Sequence, residues 1–172
     1  MLYRHMQRSG LGDRIDIPEI PPVPGEAIEV LQQHAQAITA DYELSLVGSS
    51  LGGFYATWLA EKYRCPAVLV NPAVRPHELL QKYLGENTNY YTDEKWVLDQ
   101  GHIEQFRQLY IEKISDPLRY LLMLQTGDQT LDYRDALEHY ADCPAIVEQG
   151  GSHEFSDFDR YLDKILAFCK VG

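Results

Sequence analysis

The stretch Leu44-Ser45-Leu46-Val47-Gly48-Ser49-Ser50-Leu51-Gly52-Gly53 limits what this chain can fold into more than any other. An apolar run with strand character stops at Gly48, and from Phe54 to Tyr63 the apolar residues recur at helical spacing. Between them lies a G-x-S-x-G element in the strand–turn–helix setting that such an element requires. Gly48 and Gly52 have no side chains, so the strand and helix are expected to pass close together, and Gly53 extends that small surface. The bend pushes the Ser50 hydroxyl into the open. It also aims the Leu51 backbone N–H, at a helix N-terminus, toward an oxygen on which negative charge develops. A phosphate-binding loop would need Gly-Lys-Ser/Thr or G-x-G-x-x-G spacing, and neither occurs here.

The rest of the chain alternates in the same way. Ala67–Val70, Tyr120–Gln125 and Ala145–Glu148 read as buried strands, halted by Asn71-Pro72, Thr126-Gly127-Asp128 and Gly150-Gly151. Ala27–Thr39, Tyr133–Tyr140 and Phe158–Cys169 carry apolar residues at helical spacing, and residues 2–9 are a further helical candidate. Arg14-Ile15-Asp16-Ile17 alternates like a short strand and is followed by a rigid loop containing Pro18, Pro21, Pro22 and Pro24. Strands alternating with helices predict an α/β fold, a mostly parallel sheet with helices on both faces. Residues 1–172 form one domain on this reading. Residues 73–117 break the rhythm. They are polar and Tyr-rich (Asn87-Thr88-Asn89-Tyr90-Tyr91), with helical patches at Pro76–Tyr83 and His102–Ile111. The segment reads equally as a short cap over the carboxyl edge of the sheet or as a plain surface excursion.

Ligands of parallel sheets sit at the carboxyl ends of the strands. A serine hydroxyl there is a weak nucleophile unless a base, itself held by a third group, takes its proton. His153 follows the last strand in Gly150-Gly151-Ser152-His153, and the two glycines suit a loop that must carry an imidazole over a distant serine. Of the other histidines, His5 and His34 precede the serine, His77 and His102 lie in the insertion, and His139 sits mid-helix. Asp128 follows the third strand in Gln125-Thr126-Gly127-Asp128 and is the preferred acid, with Asp132 as its competitor. A turn-capping role is the alternative for Asp128. Cys65, Cys143 and Cys169 are an odd number at wide spacings with no CxxC. They are expected to be packed, reduced thiols in a cytoplasmic protein, not metal ligands.

Composition removes other classes. A net charge of −11 opposes binding to nucleic acid or to an anionic membrane surface. No run approaches the ~18 apolar residues of a membrane span, and the first residues lack the apolar core of a secretory signal.

At these residues the chain resembles the YqiA/YcfP-type α/β-hydrolases, small esterase-like bacterial proteins. The resemblance is carried by Leu46–Ala60, Val68–Pro76, Tyr83-Leu84-Gly85-Glu86-Asn87, Gln125–Asp128, Leu131-Asp132-Tyr133 and Gly150–His153, and spans Ile17 to the C-terminus. It implies Ser50 as nucleophile, Asp128 as acid and His153 as base. The implied reaction is hydrolysis of an acyl ester or acyl-CoA thioester, with no cofactor. The chain departs from the family at its start. Members open with a strand ending in His-Gly-Phe, whose loop supplies a second oxyanion N–H, and no such run occurs here. Relative to the family the chain is expected to be truncated, or to rebuild that edge, leaving the Arg14–Ile17 strand without its neighbour. Two outcomes are therefore expected to compete: an active ester or thioester hydrolase working through an acyl-enzyme, and an impaired hydrolase-fold protein that binds an acyl ligand or a partner. Cleavage of peptide or carbon–carbon bonds by the same three residues is a further alternative.

Overall fold

A computed structural model describes residues 1–88 and 95–171. Its strands are β1 (Leu46–Ser49), β2 (Ala67–Val70), β3 (Gly85–Thr88), β4 (Lys95–Leu98), β5 (Tyr120–Gln125) and β6 (Ala145–Glu148). Its helices are α1 (Leu2–Arg8), α2 (Pro24–Thr39), α3 (Leu51–Tyr63), α4 (Pro76–Leu79), α5 (Gln100–Leu109), α6 (Tyr133–His139) and α7 (Leu162–Phe168). Four strands form an all-parallel sheet in the order β1-β2-β5-β6, with Gly48 opposite Leu69, Leu69 opposite Leu122 and Gln125 opposite Glu148.

The central strands β2 and β5, the latter up to Gln125 at its end, are apolar because both of their faces are covered. Ala67, Leu69, Tyr120, Leu122 and Leu124 pack on one face with Ala56 and Ala60 of α3 and Ala136 of α6. Val68, Val70, Leu121 and Met123 pack on the other with Phe155, Ile165 and Cys169, and Leu2 of α1 joins them. Each fully buried branched side chain contributes about 1.5–3 kcal/mol. At the flanks, β1 and β6 turn Val47 and Val147 toward solvent. A third apolar cluster locks α2, α3 and α5 together through Ile28, Phe54, Tyr55 and Phe106. Among the described residues no helix is long and apolar enough to cross a membrane.

The structure corrects the sequence reading in four places. Arg14–Ile17 is not a strand: Gly12–Arg14 form a 3-10 turn, and the extended residues after it pair with no strand among those described. Pro18 removes a backbone donor, the Ile17 side chain faces solvent, and Asp16 is held instead by His34 of α2 at 2.5 Å. The first strand runs from Leu46 to Ser49, because Gly48 and Ser49 stay paired with Leu69 and Val70. The last helix opens as a 3-10 turn at Phe158–Tyr161 before α7. Within 73–117, β3 and β4 pair antiparallel, a feature that the polar composition of β3 hid. The Asn89-Tyr90-Tyr91 part of the Tyr-rich run lies outside the described residues.

Candidate active site

β1 ends at Ser49 and α3 begins at Leu51, so Ser50 alone makes the turn. Its backbone sits at φ 54°, ψ −123°, a region costly for a residue with a Cβ. The surroundings enforce it. The Ser50 N–H donates to the Val70 carbonyl at 3.0 Å, and the Ser50 carbonyl accepts from Gly53 N–H at 3.0 Å and Ala73 N–H at 2.9 Å. A Cβ on Gly48 would overlap the Gly52 carbonyl, and one on Gly53 would lie 2.7 Å from Pro72 Cβ. The close approach expected of Gly48 and Gly52 therefore belongs to Gly48 and Gly53. A Cβ on Gly52 would meet nothing within 4 Å, because Gly52 faces a cavity. Leu51 is the first residue of α3, so its N–H has no partner within the helix.

His153 arrives on the loop after β6. Its Nε2 lies 3.0 Å from Ser50 Oγ and its Nδ1 lies 2.8 Å from Asp128 Oδ2. The Asp128 carboxylate is almost wholly buried, and its other oxygen accepts from the N–H groups of Thr130 (2.8 Å) and Leu131 (2.9 Å). Those bonds aim one oxygen at the imidazole, the arrangement that fixes a histidine tautomer. The turn-capping role weighed for Asp128 is thus filled by the same side chain. Asp132 is occupied elsewhere. It caps α6 through Arg134 N–H and pairs with the Arg134 guanidinium, which lowers its carboxyl to about 2. His77 and His139 pack around Tyr110 instead of approaching Ser50, and burial lowers the pKa of both imidazoles. All three cysteines are buried free thiols that burial pushes up to about 11, too high for a thiolate nucleophile at neutral pH. Among the described residues no cluster of three or more His, Cys, Asp or Glu side chains is placed to hold a metal ion.

Beside the serine turn opens a cavity of about 390 Å³, lined chiefly by Leu51, Tyr55, Leu80, Trp96, Leu98 and Phe106. None of its described lining residues carries a charge. The loop Ile20-Pro21-Pro22 lines the same cavity as Leu51 and Gly52, a contribution that sequence reasoning missed. Its only signal was an apolar, proline-rich stretch. Asn71 and Gln125 were also missed. Both are buried polar residues beside the histidine loop, and the visible sign was an amide at the end of each apolar run.

The fold is that of the α/β-hydrolases. A putative hydrolase from Agrobacterium vitis S4 superposes with a TM-score of 0.61 at 20% identity, over 86% of this chain and 69% of that one. Est1E from Butyrivibrio proteoclasticus with bound ferulic acid gives 0.63 at 13% identity, over 85% and 67%. A monoacylglycerol lipase from Paleococcus ferrophilus gives 0.62 at 15% identity, over 90% and 78%. In sequence, a UPF0227 protein of Klebsiella pneumoniae strain 342 is 27% identical over 138 residues, 78% of this chain and 69% of that protein. A family model described as "Uncharacterised protein family (UPF0227)" matches residues 1–170, in line with the YqiA/YcfP-type resemblance, and the chain belongs to that family.

Proposed function

We propose that the chain is a serine hydrolase that cleaves a carboxylic ester or thioester through an acyl-enzyme. One observation carries this reading: a strained serine hydroxyl, an imidazole at 3.0 Å and a buried carboxylate at 2.8 Å lie in one hydrogen-bonded line. His153 Nε2 takes the Ser50 proton as Oγ attacks the carbonyl carbon. Asp128 stays ionised and stabilises the imidazolium, and the Leu51 N–H binds the oxyanion. The imidazolium then protonates the departing alcohol or thiol. Water, deprotonated by His153, releases the acid and frees Ser50.

The uncharged cavity beside Leu51 supports an apolar acyl or alcohol group as the part recognised. We take residues 73–117, which supply Leu80, Trp96 and Phe106 to its wall, as a cap on a single domain. Three buried, unpaired thiols support a reducing, cytoplasmic setting.

The test is labelling with a fluorophosphonate together with turnover of p-nitrophenyl esters. Stoichiometric labelling at Ser50, and turnover abolished in Ser50→Ala, are expected. Turnover that survives Ser50→Ala unchanged overturns the reading. A second reading, an impaired hydrolase fold that binds an acyl ligand, is favoured by one observation. The described cavity lining around Leu51 includes Pro21 and Pro22, which have no N–H to donate to an oxyanion. Loss of one such donor costs about 10² to 10³ in rate. A folded protein that binds a fatty acid yet resists the fluorophosphonate decides for that second reading.

A further inference from the structure

The loop carrying His153 follows an unusual backbone path. Gly150 (φ 77°), Gly151 (φ 80°), Phe155 (φ 64°) and Asp157 (φ 56°) all occupy the left-handed region within eight residues. Two buried amides hold it from outside. Asn71 Nδ2 donates to the carbonyls of Ser152 and His153, each at 3.0 Å, while its Oδ1 accepts from the Gln125 N–H at 3.0 Å. Gln125 Oε1 accepts from the N–H groups of Ser152 (2.9 Å) and Ser156 (2.8 Å). Its Nε2 donates to the Ser156 carbonyl (2.9 Å) and to Glu148 (2.7 Å). The Gln125 amide thus uses its full hydrogen-bonding capacity. Both residues are only 2% exposed. Apolar residues at two such sites would avoid the cost of desolvating amides, and a network this complete specifies one geometry instead.

The loop that Asn71 opens also reaches the serine turn. Its N–H extends the β2–β5 ladder to the Met123 carbonyl at 2.9 Å, and its backbone sits at φ 39°. Directly after it, Pro72 packs on Gly53 and the Ala73 N–H holds the Ser50 carbonyl. One loop therefore grips the nucleophile turn with its backbone and the histidine loop with a side chain.

We propose that Asn71 and Gln125 are positioning residues that set the distance between His153 and Ser50, an inference that rests on the hydrolase reading above. Neither touches the reacting atoms. Asn71→Asp tests it directly, since Asp tolerates the same backbone and keeps the acceptor for Gln125 while losing both donors to the loop. If this variant fails to fold, Gln125→Met interrogates the same latch from the other side. Two measurements are made on the full chain. The first is the downfield proton resonance of the His153 Nδ1–H bonded to Asp128. The second is ester turnover resolved into kcat and KM. The expected result is a resonance that weakens or broadens away and a kcat about 10- to 100-fold lower, with KM within about two-fold. Leu44→Ala, a core change in the cluster on the other face of the sheet from Phe155 and the histidine loop, serves as a destabilised control that keeps both the resonance and kcat at temperatures where it is folded. A resonance and kcat that survive in both latch variants overturn the inference. A wild-type chain without resonance, labelling or turnover overturns the hydrolase reading itself and the inference with it, so the two failures are told apart.

Discussion

The serine turn and the histidine loop both use left-handed backbone but are held in different ways. At the turn, the residues that the bend itself needs are neighbours: Gly48, Ser50 and Gly53 lie within six positions, braced by Val70, Pro72 and Ala73 at the end of the next strand. At the loop, the two amides that decide its shape come from 27 and 81 residues upstream. The difference teaches that a nucleophile's exposure can be written in a short motif, because it needs only a bend and room for it. The placement of a base against it depends on distant strands ending level with one another.

Substitutions at each end can break or sharpen that contrast. The largest effect is expected from Ser50→Ala, which should lower ester turnover by about 10⁶-fold while thermal melting shows a folded protein. Gly48→Ala should be the most damaging change to stability at the turn, about 3 kcal/mol by denaturant titration, because the overlap is with backbone that cannot move aside. Its partner test is Gly52→Ala. That Cβ points into the cavity and adds helix propensity, so stability should stay equal or rise by up to about 1 kcal/mol, while KM for bulky acyl esters increases. Equal stability losses in the two variants would dissolve the distinction drawn between these glycines.

Gly151→Ala asks the same of the histidine loop. Its φ of 80° and its crowding against the Gln125 amide predict a loss of about 1–3 kcal/mol. It should lower kcat even where the protein is fully folded. The smallest effect concerns pH. The Glu148 carboxyl titrates below its ordinary range, chiefly because the Tyr161 hydroxyl donates to it at 2.5 Å and then because Gln125 does. A carboxyl whose folded pKa is depressed adds stability that is complete above the unfolded value, about 4.3, and lost as pH falls through the folded one. Tyr161→Phe should therefore lower stability slightly at neutral pH, leave it nearly unchanged at the acid end where the carboxyl is protonated in either protein, and so flatten the slope between. A steeper acid slope in the variant would reverse the assignment.

Much of the architecture was legible in the chain. The runs Ala67–Val70, Tyr120–Gln125 and Ala145–Glu148 match β2, β5 and β6 residue for residue, since continuous apolar segments cut off by Gly, Pro or Asn have few other ways to be buried. Ser50, Asp128 and His153 stood out as residue types at strand ends, and the structure brings their side chains into hydrogen-bonding distance. The Arg14–Ile17 segment misled because alternation signals a strand only where a neighbour offers its edge, and none of the described residues does.

Local pattern alone indicated the parallel α/β layering, the bend at Ser50, and Ser50 and His153 with Asp128 or Asp132 as the chemically suggestive side chains, because each depends on burial or sterics within a few residues. Only the tertiary structure decided that Asp128 and not Asp132 faces the imidazole, that Gly53 and not Gly52 is the crowded glycine, and that Asn71 and Gln125 hold the histidine loop. Those outcomes depend on which strand ends lie side by side in the β1-β2-β5-β6 order. Hydrogen bonds act over about 3 Å in space, whatever the separation along the chain.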